Sequence, residues 1–275
     1  MNISFVTPGD ETFASVRYRM LIPAEALIEM GHSVTVGGYA QETGVYVFSK
    51  HNAADLAVVK ELREAGKKVV YDICDNHFHS HHRNHYVDMV SFANVVTCST
   101  IAMQEVIEAE TGREAYQIDD PYEFPEEEPV IKKPGRTMWF GHRSNLSSLN
   151  GYKVDDCVSN EQGCMPWSME NMIMAFDRNQ IVLIPHSDER KNAVKSTNRV
   201  VESIRMGKWV SASPIRSYEQ FSNYANIGDV KAGIETYNDL PDDVLIDRIK
   251  AGQDYIRERF SPKTIAEQWL KALSG

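Results

Sequence analysis

The chain contains the sequence Lys195-Ser-Thr-Asn-Arg-Val-Val-Glu-Ser-Ile-Arg-Met-Gly-Lys-Trp-Val-Ser-Ala-Ser213, which predicts a capped helix, a glycine stop and a buried strand. Ser196 or Thr197 has the side chain of an N-cap, and Gly207 stands where a left-handed residue ends a helix. Apolar residues recur at helical spacing, so one face of the helix is expected to be buried. A helix that leads directly into a buried strand is typical of a parallel α/β sheet.

The first turn of this helix is a predicted phosphate site. The N–H groups at a helix start lack intrahelical partners and attract an anion. Lys195, just before the helix, adds positive charge and is a predicted catalytic residue. Glu202, one turn further along, is placed to accept hydrogen bonds from sugar hydroxyls. The predicted nucleotide-sugar-binding residues of this segment are Ser196, Thr197, Asn198, Arg199 and Glu202.

The segment resembles the donor-binding helix of retaining GT-B glycosyltransferases, in particular those of family 4. The family's Glu-Ala-hydrophobic-Ala-x-Gly-x-Pro-Val frame corresponds to Glu202-Ser-Ile-Arg-Met-Gly-Lys-Trp-Val210, with tryptophan in place of the proline. The resemblance implies that Glu202 binds the donor ribose. A second family glutamate, which contacts the transferred sugar, is replaced by Val194. An alternative for Glu202 is an ion pair with Arg199 or Arg205 on a solvated face.

The composition is that of a globular protein. The 275 residues, 42% hydrophobic and 25% charged, suit two domains. A formal net charge of −10 argues against broad electrostatic capture of nucleic acid. No apolar run approaches the length of a membrane span, and residues 1–8 predict a strand instead of a signal peptide, so we expect a cytoplasmic protein. The four cysteines show no CxxC spacing, so neither a zinc ribbon nor a disulfide framework is expected.

Strand and helix patterns alternate along the chain on both sides of a Pro- and Glu-rich stretch, Pro121–Pro129, which is the predicted linker. Strands separated by helices of this length predict parallel sheets with right-handed crossovers. We therefore expect an α/β protein of the GT-B class, with two Rossmann-like domains whose parallel sheets face a central cleft. The expected domains are residues 1–126, on the acceptor side, and residues 131–275, which bind the nucleotide sugar and include a closing C-terminal helix.

In the first domain, the loop Pro8–Ser15 follows the first strand. Open parallel sheets bind ligands at the carboxyl ends of their strands, so Gly9 and the nearby Arg17 are predicted donor-binding residues. Arg19 is a further cation with the same potential reach. The alternative for each arginine is a solvated ion pair on the helix. The run Gly31-His-Ser-Val34 resembles the family's Gly-His-x-Val turn between the first helix and the second strand.

A cluster of acids and histidines follows the strand that ends near Ile73, in the run Asp75–His85. The resemblance places a catalytic-pocket acid or histidine at this junction, and Asp75 and His77 are the predicted catalytic residues. They would hydrogen-bond the acceptor hydroxyl or steady the departing sugar. Two alternatives are a metal site, since His81 and His85 would share a face if the segment were helical, and a solvated loop. Because the family needs no bound metal, no metal site is expected.

In the second domain, the run Trp139-Phe-Gly-His-Arg143 predicts a strand, a glycine and a basic loop. Gly141 would let the backbone approach a pyrophosphate closely, and Arg143, a predicted catalytic residue, would neutralise it. Asp188 or Glu189 would replace the missing upstream glutamate, unless that segment is a plain surface loop.

The predicted function is transfer of a sugar from a nucleoside-diphosphate sugar to an acceptor hydroxyl on a saccharide or lipid-linked glycan, with retention of configuration as the resemblance implies. The nucleotide sugar is a co-substrate, and no other cofactor is expected. One alternative is a phage-type transferase whose acceptor is a hydroxymethylated DNA base. Another is a non-catalytic module that binds a sugar nucleotide. Composition and pattern leave the sugar, the base and the oligomeric state undetermined.

Overall fold

The structure, a computed structural model, describes residues 1–7, 9–40, 42–50, 52–187 and 190–275, without the side chains of residues 190 and 191. The chain forms two compact units. Unit 1 comprises Met1–Glu123, Ala193–Ser196 and Arg259–Gly275. Unit 2 comprises Phe124–Asn192 and Thr197–Glu258.

Unit 1 is built on a parallel sheet of six strands in the order β2-β1-β3-β4-β5-β6. β3 and β5 are buried along their whole length, and β1 and β4 are buried after their first residue, which explains why β3, β4 and β5 show no alternation of apolar and polar residues. The strands are β1 (Asn2–Val6), β2 (Ser33–Val36), β3 (Val45–Ser49), β4 (Lys68–Ile73), β5 (Val95–Cys98) and β6 (Tyr116–Gln117).

Helices pack on the unit 1 sheet between the strands. The first begins as a short α-turn, widens into a π-helix at Arg17–Leu21 and continues as α2. The last helix of the chain, α11, packs beside α2, and its Trp269 contacts Phe5 of β1 edge-on at 5.4 Å between ring centroids. The helices are α1 (Ala14–Val16), α2 (Ile22–Glu29), α3 (Asp55–Glu64), α4 (Arg83–Phe92), α5 (Ile101–Thr111) and α11 (Pro262–Ser274).

Unit 2 repeats this plan with five parallel strands in the order β11-β10-β9-β7-β8. The strands are β7 (Thr137–Phe140), β8 (Asp156–Val158), β9 (Ile181–Ile184), β10 (Trp209–Ala212) and β11 (Asn226–Ile227). The α-helices are α6 (Met169–Arg178), α7 (Arg190–Ala193, whose last residue belongs to unit 1), α8 (Asn198–Arg205), α9 (Val230–Asp239) and α10 (Asp242–Arg259, whose last residue belongs to unit 1). Short 3-10 helices cover Arg143–Leu149 and Arg216–Phe221.

The predicted fold class is confirmed, because each unit is a Rossmann-like layer of parallel strands covered by helices. The division into units departs from the predicted domains in three places. The units change at Glu123–Phe124, inside the predicted linker, and both Ala193–Ser196 and Arg259–Gly275, which includes α11, belong to unit 1. The physical reason is that the apolar face of α11, including Ile265 and Trp269, completes the core around β1 and β3. Pattern reasoning also missed α4, α9 and the 3-10 helix at Arg216–Phe221.

The cysteines give a second correction. Cys157 of β8 and Cys164 form a disulfide, with 4.9 Å between their Cα atoms. The expectation of no disulfide is therefore wrong. The turn after β8 brings Cys164 back to Cys157, and because the two are seven residues apart, the search for CxxC spacing did not find them. Cys74 and Cys98 are free thiols. In the part of the chain that the structure describes, no helix is both long and apolar enough to span a membrane.

Candidate functional site

The strand order of unit 2 places its candidate site at the carboxyl ends of two inner strands, β7 and β9. Crossovers run to opposite sides from the neighbouring strands β7 and β9, so the loops after these two strands diverge. Ligands of open α/β sheets bind at such a switch point, outside the carboxyl ends of the strands. The loops that meet this condition begin at Gly141, after β7, and at Pro185, after β9.

The loop after β7 carries two predicted residues, Gly141 and Arg143. A Cβ atom at residue 141 would lie 3.0 Å from the Trp139 ring, so the backbone there passes too close for most side chains. His142 accepts a hydrogen bond from Ser144 N–H through its Nδ1 and caps the following 3-10 helix. The Arg143 side chain is exposed. This loop therefore presents backbone and one accessible cation at the switch point; the roles predicted for Gly141 and Arg143 stay predictions.

Arg199 of α8 joins the two loops of the switch point. Its half-buried guanidinium donates to the Phe140 carbonyl oxygen at 3.4 Å and lies 3.4 Å from His186 Nε2. His186 Nε2 also lies 3.0 Å from the hydroxyl of the buried Tyr218. Burial raises the pKa of Tyr218, although Arg199 lowers it in part, so the phenol is neutral at physiological pH. Sequence patterns did not identify Tyr218, which lies on a 3-10 helix that they also missed.

The N-cap position of α8 is one of the two that the sequence predicted. Thr197 is the N-cap residue, but its buried side chain makes no capping hydrogen bond. Instead, Asn198 Oδ1 accepts from Arg199 N–H at 2.7 Å. The preceding residue, Ser196, belongs to unit 1, where its hydroxyl hydrogen-bonds the buried Asp120 carboxylate. The predicted residues of this segment are therefore divided between the two units.

Glu202 is buried, with 1% of its side chain exposed, and its carboxylate accepts from Phe124 N–H at 3.1 Å. Arg205, one turn later, is also buried and donates to the Phe124 carbonyl oxygen at 2.9 Å. The alternative in which Glu202 lies on a solvated face is therefore wrong. Helical periodicity places these two residues on one face, and that face packs against the chain segment that begins at Phe124.

The segment Phe124–Glu128, the start of unit 2, contacts α8 and α10 along its length. Gln253 of α10 donates to the Glu127 carbonyl oxygen at 2.7 Å, and Arg205 pairs with Glu126 at 3.1 Å. Gly207 has a φ of 68°, as predicted for a left-handed helix end. A Cβ atom there would also lie 2.8 Å from the Glu127 carbonyl oxygen. The predicted linker is therefore held by backbone and side-chain contacts from Phe124 onward.

In unit 1, Asp75 lies between two lysines just after β4. Its Oδ2 accepts from Lys50 Nζ at 2.9 Å, and its Oδ1 accepts from Lys195 Nζ at 3.3 Å. Burial alone would raise the pKa of Asp75, but the two ammonium groups outweigh this effect and hold it below its usual range. Asp75 is therefore an ionised acceptor at neutral pH and does not supply a proton.

Lys50 was not identified from the sequence, although it follows β3 directly. Its φ of 69° is unusual for a residue with a side chain, and its carbonyl oxygen accepts from the Tyr71 hydroxyl at 3.3 Å. Cys74 and Asp75 raise the pKa of Lys50, so its amine stays charged. The sequence signal that could have identified Lys50 as a candidate site residue is its position at the carboxyl end of a parallel strand.

His77 lies beside Asp75 in the turn before α4, and its charge would lower the pKa of the Asp75 carboxylate. Its ring lies 5.2 Å from the Tyr86 ring and 5.7 Å from the His82 ring, centroid to centroid. His81 precedes α4 and His85 lies within it, so the helical pairing required by the metal alternative does not occur. No group of three or more metal-ligating side chains is found among the described residues.

Gly9 and Arg17 also lie in unit 1, but among the described residues neither of them contacts Asp75. The Arg17 guanidinium pairs with Glu123 at 2.7 Å and donates to the Glu11 carbonyl oxygen at 2.8 Å. Arg17 lines a pocket of about 410 Å³ together with Glu11, Leu21, Ile22, Glu25, Tyr122, Glu123 and Pro262. Gly9 is half-buried and donates to Thr7 Oγ1 at 3.2 Å.

Arg19 cannot reach a ligand, because its side chain is 1% exposed and bound on three sides. It forms a bidentate pair with Asp72, at 2.7 and 3.1 Å, and contacts Asp120 at 3.1 Å. Its suggested role with an anionic donor is therefore wrong, because the pair with Asp72 fixes it in the core. Asp188 and Glu189, the suggested substitutes for the missing upstream glutamate, lie outside the described residues.

The sequence matches no known family profile and no curated protein. The fold has solved relatives at low identity. A Listeria monocytogenes protein named as a candidate UDP-N-acetylglucosamine 2-epimerase is 10% identical, with a TM-score of 0.57 over 99% of this chain and 95% of that one. A mutant of TarM from S. aureus, solved with fondaparinux, alpha-GlcNAc-glycerol and UDP, is 10% identical, with a TM-score of 0.56 over 84% of this chain and 55% of TarM.

A UDP-forming alpha,alpha-trehalose-phosphate synthase from Burkholderia xenovorans is 11% identical to the chain, with a TM-score of 0.55. The match covers 98% of this chain and 80% of the synthase. At these identities the likeness shows the fold alone. It supports the predicted GT-B architecture of two Rossmann-like domains.

Proposed function

We propose that the protein is a glycosyltransferase that moves a sugar from a nucleoside-diphosphate sugar to an acceptor hydroxyl. The observation that carries the proposal is the switch-point site of unit 2, where Gly141 and Arg143 lie in the loop after β7 and Arg199 contacts both Phe140 of β7 and His186 in the loop after β9. A close backbone and two guanidinium groups are suited to a diphosphate. Of the solved proteins of this fold, the Listeria protein is named for a UDP sugar, the TarM mutant was solved with UDP, and the synthase is named as UDP-forming.

Unit 2 supplies the donor site in this proposal. Arg143, exposed, and Arg199, half-buried, would neutralise the diphosphate as negative charge develops on it, and Asn198 would contact it from the start of α8. Glu202 keeps its proposed contact with the donor ribose on the strength of the resemblance alone. Because Glu202 is 1% exposed and its carboxylate holds Phe124 N–H, a ribose would reach it only after the segment that begins at Phe124 had moved.

Unit 1 supplies the acceptor-side groups. Asp75, ionised between Lys50 and Lys195, would accept a hydrogen bond from the acceptor hydroxyl, with His77 beside it. A carboxylate whose pKa is this low is a weak base, so its proposed role is orientation of the hydroxyl rather than removal of its proton. Retention of configuration, independence of metal ions and transfer of a hexosyl group rest on the resemblance to family 4.

Titration calorimetry with UDP, GDP and ADP tests the donor site. We expect one nucleotide to bind, and Arg199→Ala to raise its Kd about tenfold or more, because a charge-assisted hydrogen bond contributes about 1.5–3 kcal/mol. The matched control is Arg178→Ala, at an exposed position at the end of α6. Equal affinities for the wild type and Arg199→Ala, with both proteins folded, would remove Arg199 from the donor site.

A second candidate is epimerisation of a UDP sugar, which the full-length match to the Listeria protein favours. Proton NMR of UDP-N-acetylglucosamine incubated with the protein distinguishes the two activities. A transferase gives slow release of free sugar without an acceptor, which Lys195→Ala would abolish, whereas an epimerase gives the C2 epimer of the nucleotide sugar. Nucleotide binding with neither product would favour the non-catalytic module.

The alternative with a modified DNA base needs a separate test, because it concerns the acceptor and not the donor. Binding to duplex DNA that weakens steeply with salt would favour it, since phosphate contacts release counterions. The net charge of −10 leads us to expect no such binding. Saccharide and lipid-linked acceptors therefore remain the first to be tested.

A further inference from the structure

We propose that Tyr218 is a positioning residue of the donor site, where its hydroxyl holds the Arg199 guanidinium in place for a nucleoside diphosphate. This role rests on the proposed function, because the diphosphate is the ligand of Arg199 in that proposal. Tyr218 is 0% exposed, so it acts through Arg199 and touches no ligand itself. Both residues belong to unit 2.

The Arg199 guanidinium is restrained by polar contacts. It donates to the Phe140 carbonyl oxygen at 3.4 Å, lies 3.4 Å from His186 Nε2 and hydrogen-bonds the Tyr218 hydroxyl. A guanidinium has five N–H donors, so these three contacts with described residues leave two of them for a ligand. Because the side chain is also half-buried, Arg199 is restrained before a ligand arrives and can still bind one.

The Tyr218 hydroxyl connects Arg199 with His186, whose Nε2 lies 3.0 Å from it. A guanidinium can only donate, so the phenol oxygen accepts from Arg199 and the phenol proton is directed to Nε2. We assign the lone pair of His186 to Nε2 on this ground. Burial raises the pKa of Tyr218, and the phenol therefore keeps the proton that this donation needs. One hydroxyl thus orients both side chains.

The two neighbours of Arg199 are themselves fixed through their backbones. The His186 N–H donates to Ser213 Oγ at 2.9 Å, which ties the loop after β9 to the loop after β10. The Tyr218 N–H donates to the Ile215 carbonyl oxygen at 2.9 Å, at the start of its 3-10 helix. The rings of Tyr218 and His186 lie 5.6 Å apart, centroid to centroid. Arg199 is therefore held by groups whose own positions are restrained.

Packing alone does not account for the Tyr218 hydroxyl. Burial of a hydroxyl costs free energy unless it is hydrogen-bonded, and a phenylalanine would fill nearly the same space without that cost. Among the described residues, the hydroxyl contacts Arg199 and His186, both at the switch point. Tyr237, another fully buried tyrosine of unit 2, instead accepts from the Lys132 N–H at 3.2 Å. The Tyr218 hydroxyl is therefore placed for the site, whereas that of Tyr237 supports the backbone.

Restraint of Arg199 before binding favours the complex. A free arginine side chain has many rotamers and loses this freedom when it binds an anion. An arginine that is already fixed loses less, so a group that fixes it lowers the Kd of the ligand. Removal of the Tyr218 hydroxyl should consequently weaken nucleotide binding while the ring still fills the core.

The first test is a double-mutant cycle with the nucleotide that binds among UDP, GDP and ADP. Tyr218→Phe should raise its Kd about three- to tenfold. In the Arg199→Ala protein the same substitution should change the Kd by less than about twofold, because residues that act through one another are not additive. Tyr237→Phe is the matched control and should leave the Kd unchanged. An unchanged Kd in Tyr218→Phe, or an equal change in both backgrounds, would overturn the proposal.

The second test needs no ligand and begins with the wild-type protein. Nitrogen-15 NMR of the arginine side chains should show separate, slowly exchanging Nη protons for Arg199, identified by their loss in Arg199→Ala. In Tyr218→Phe these signals should merge, as those of the exposed Arg178 should in both proteins. Merged Arg199 signals in the wild type, or separate ones that persist in Tyr218→Phe, would also overturn the proposal.

These outcomes are distinguishable from failure of the proposed function. Restraint of Arg199 that depends on Tyr218, in a protein that binds no nucleotide, would retain the contact and reject the transferase with its diphosphate ligand. Nucleotide binding that depends on Arg199 and not on Tyr218 would retain the transferase and reject the positioning role.

Discussion

At the scale of single residues, burial and charge set the chemistry of the groups around Asp75. Cys74 adjoins this carboxylate, with its Sγ 3.8 Å from Oδ2. Burial raises the pKa of the Cys74 thiol from an ordinary 9.0 to about 12, with a further contribution from Asp75 and partial opposition from Lys50. The thiol is consequently a neutral neighbour of the lysines, although a cysteine beside cations is often reactive.

Native Cys74 is therefore expected to react slowly with iodoacetamide. At pH 8 the shift lowers its thiolate fraction about a thousandfold, because each pKa unit is a factor of ten. Alkylation of Cys74, followed by mass spectrometry, should be at least about a hundredfold slower in the native protein than in urea. Native and unfolded rates within tenfold of each other would contradict the assignment. Because the folded pKa is raised, the thiol should stabilise the fold below about pH 9 and lose that contribution as the pH rises toward 12.

At the scale of secondary-structure elements, α8 connects the switch-point site to the segment that begins at Phe124. Its first turn carries Arg199, which contacts the ends of β7 and β9, and its later turns carry Glu202 and Arg205, which hold Phe124. Gly207 then ends the helix beneath the Glu127 backbone. A change in the position of α8 would therefore alter its contacts with this segment.

Glu202→Ala is expected to reduce stability as well as nucleotide binding. It leaves the buried Phe124 N–H without this acceptor, which costs about 1–3 kcal/mol. Urea unfolding and UDP titration measure the two effects. Glu202→Gln keeps an oxygen acceptor and should lose less stability while still weakening ribose binding. Wild-type stability in Glu202→Ala would show that the Phe124 contact contributes little.

At the scale of the whole molecule, the chain does not divide at one point. Unit 1 is closed by α11, a helix of 13 residues at the C-terminal end of the sequence, and also takes in Ala193–Ser196. Trp269 of α11 is fully buried against Phe5, with the Arg19 guanidinium carbon 5.3 Å from its ring. The stability of the N-terminal sheet therefore depends on the end of the chain.

Trp269→Ala should destabilise unit 1 by about 3–5 kcal/mol, as expected for a large cavity in a core. Hydrogen exchange should show the loss of protection first in β1 and β3. The matched variant is Trp209→Ala, whose buried indole N–H donates to the Gly233 carbonyl oxygen in unit 2. Its effect should appear in β9 and β10. The opposite pattern, with Trp269→Ala exposing the unit 2 strands first, would contradict the assignment of α11.

The sequence by itself determined the α/β class, most strand positions, and the helix of Asn198–Arg205 with its stop at Gly207. These features depend on neighbours along the chain, because apolar spacing and a left-handed glycine act within a few residues. Only the tertiary structure decided the pairing of Asp75 with Lys50 and Lys195, which lie 25 and 120 positions away, and the burial of Glu202 against Phe124. Such contacts depend on strand order and on the path of the chain between units, which local patterns do not specify.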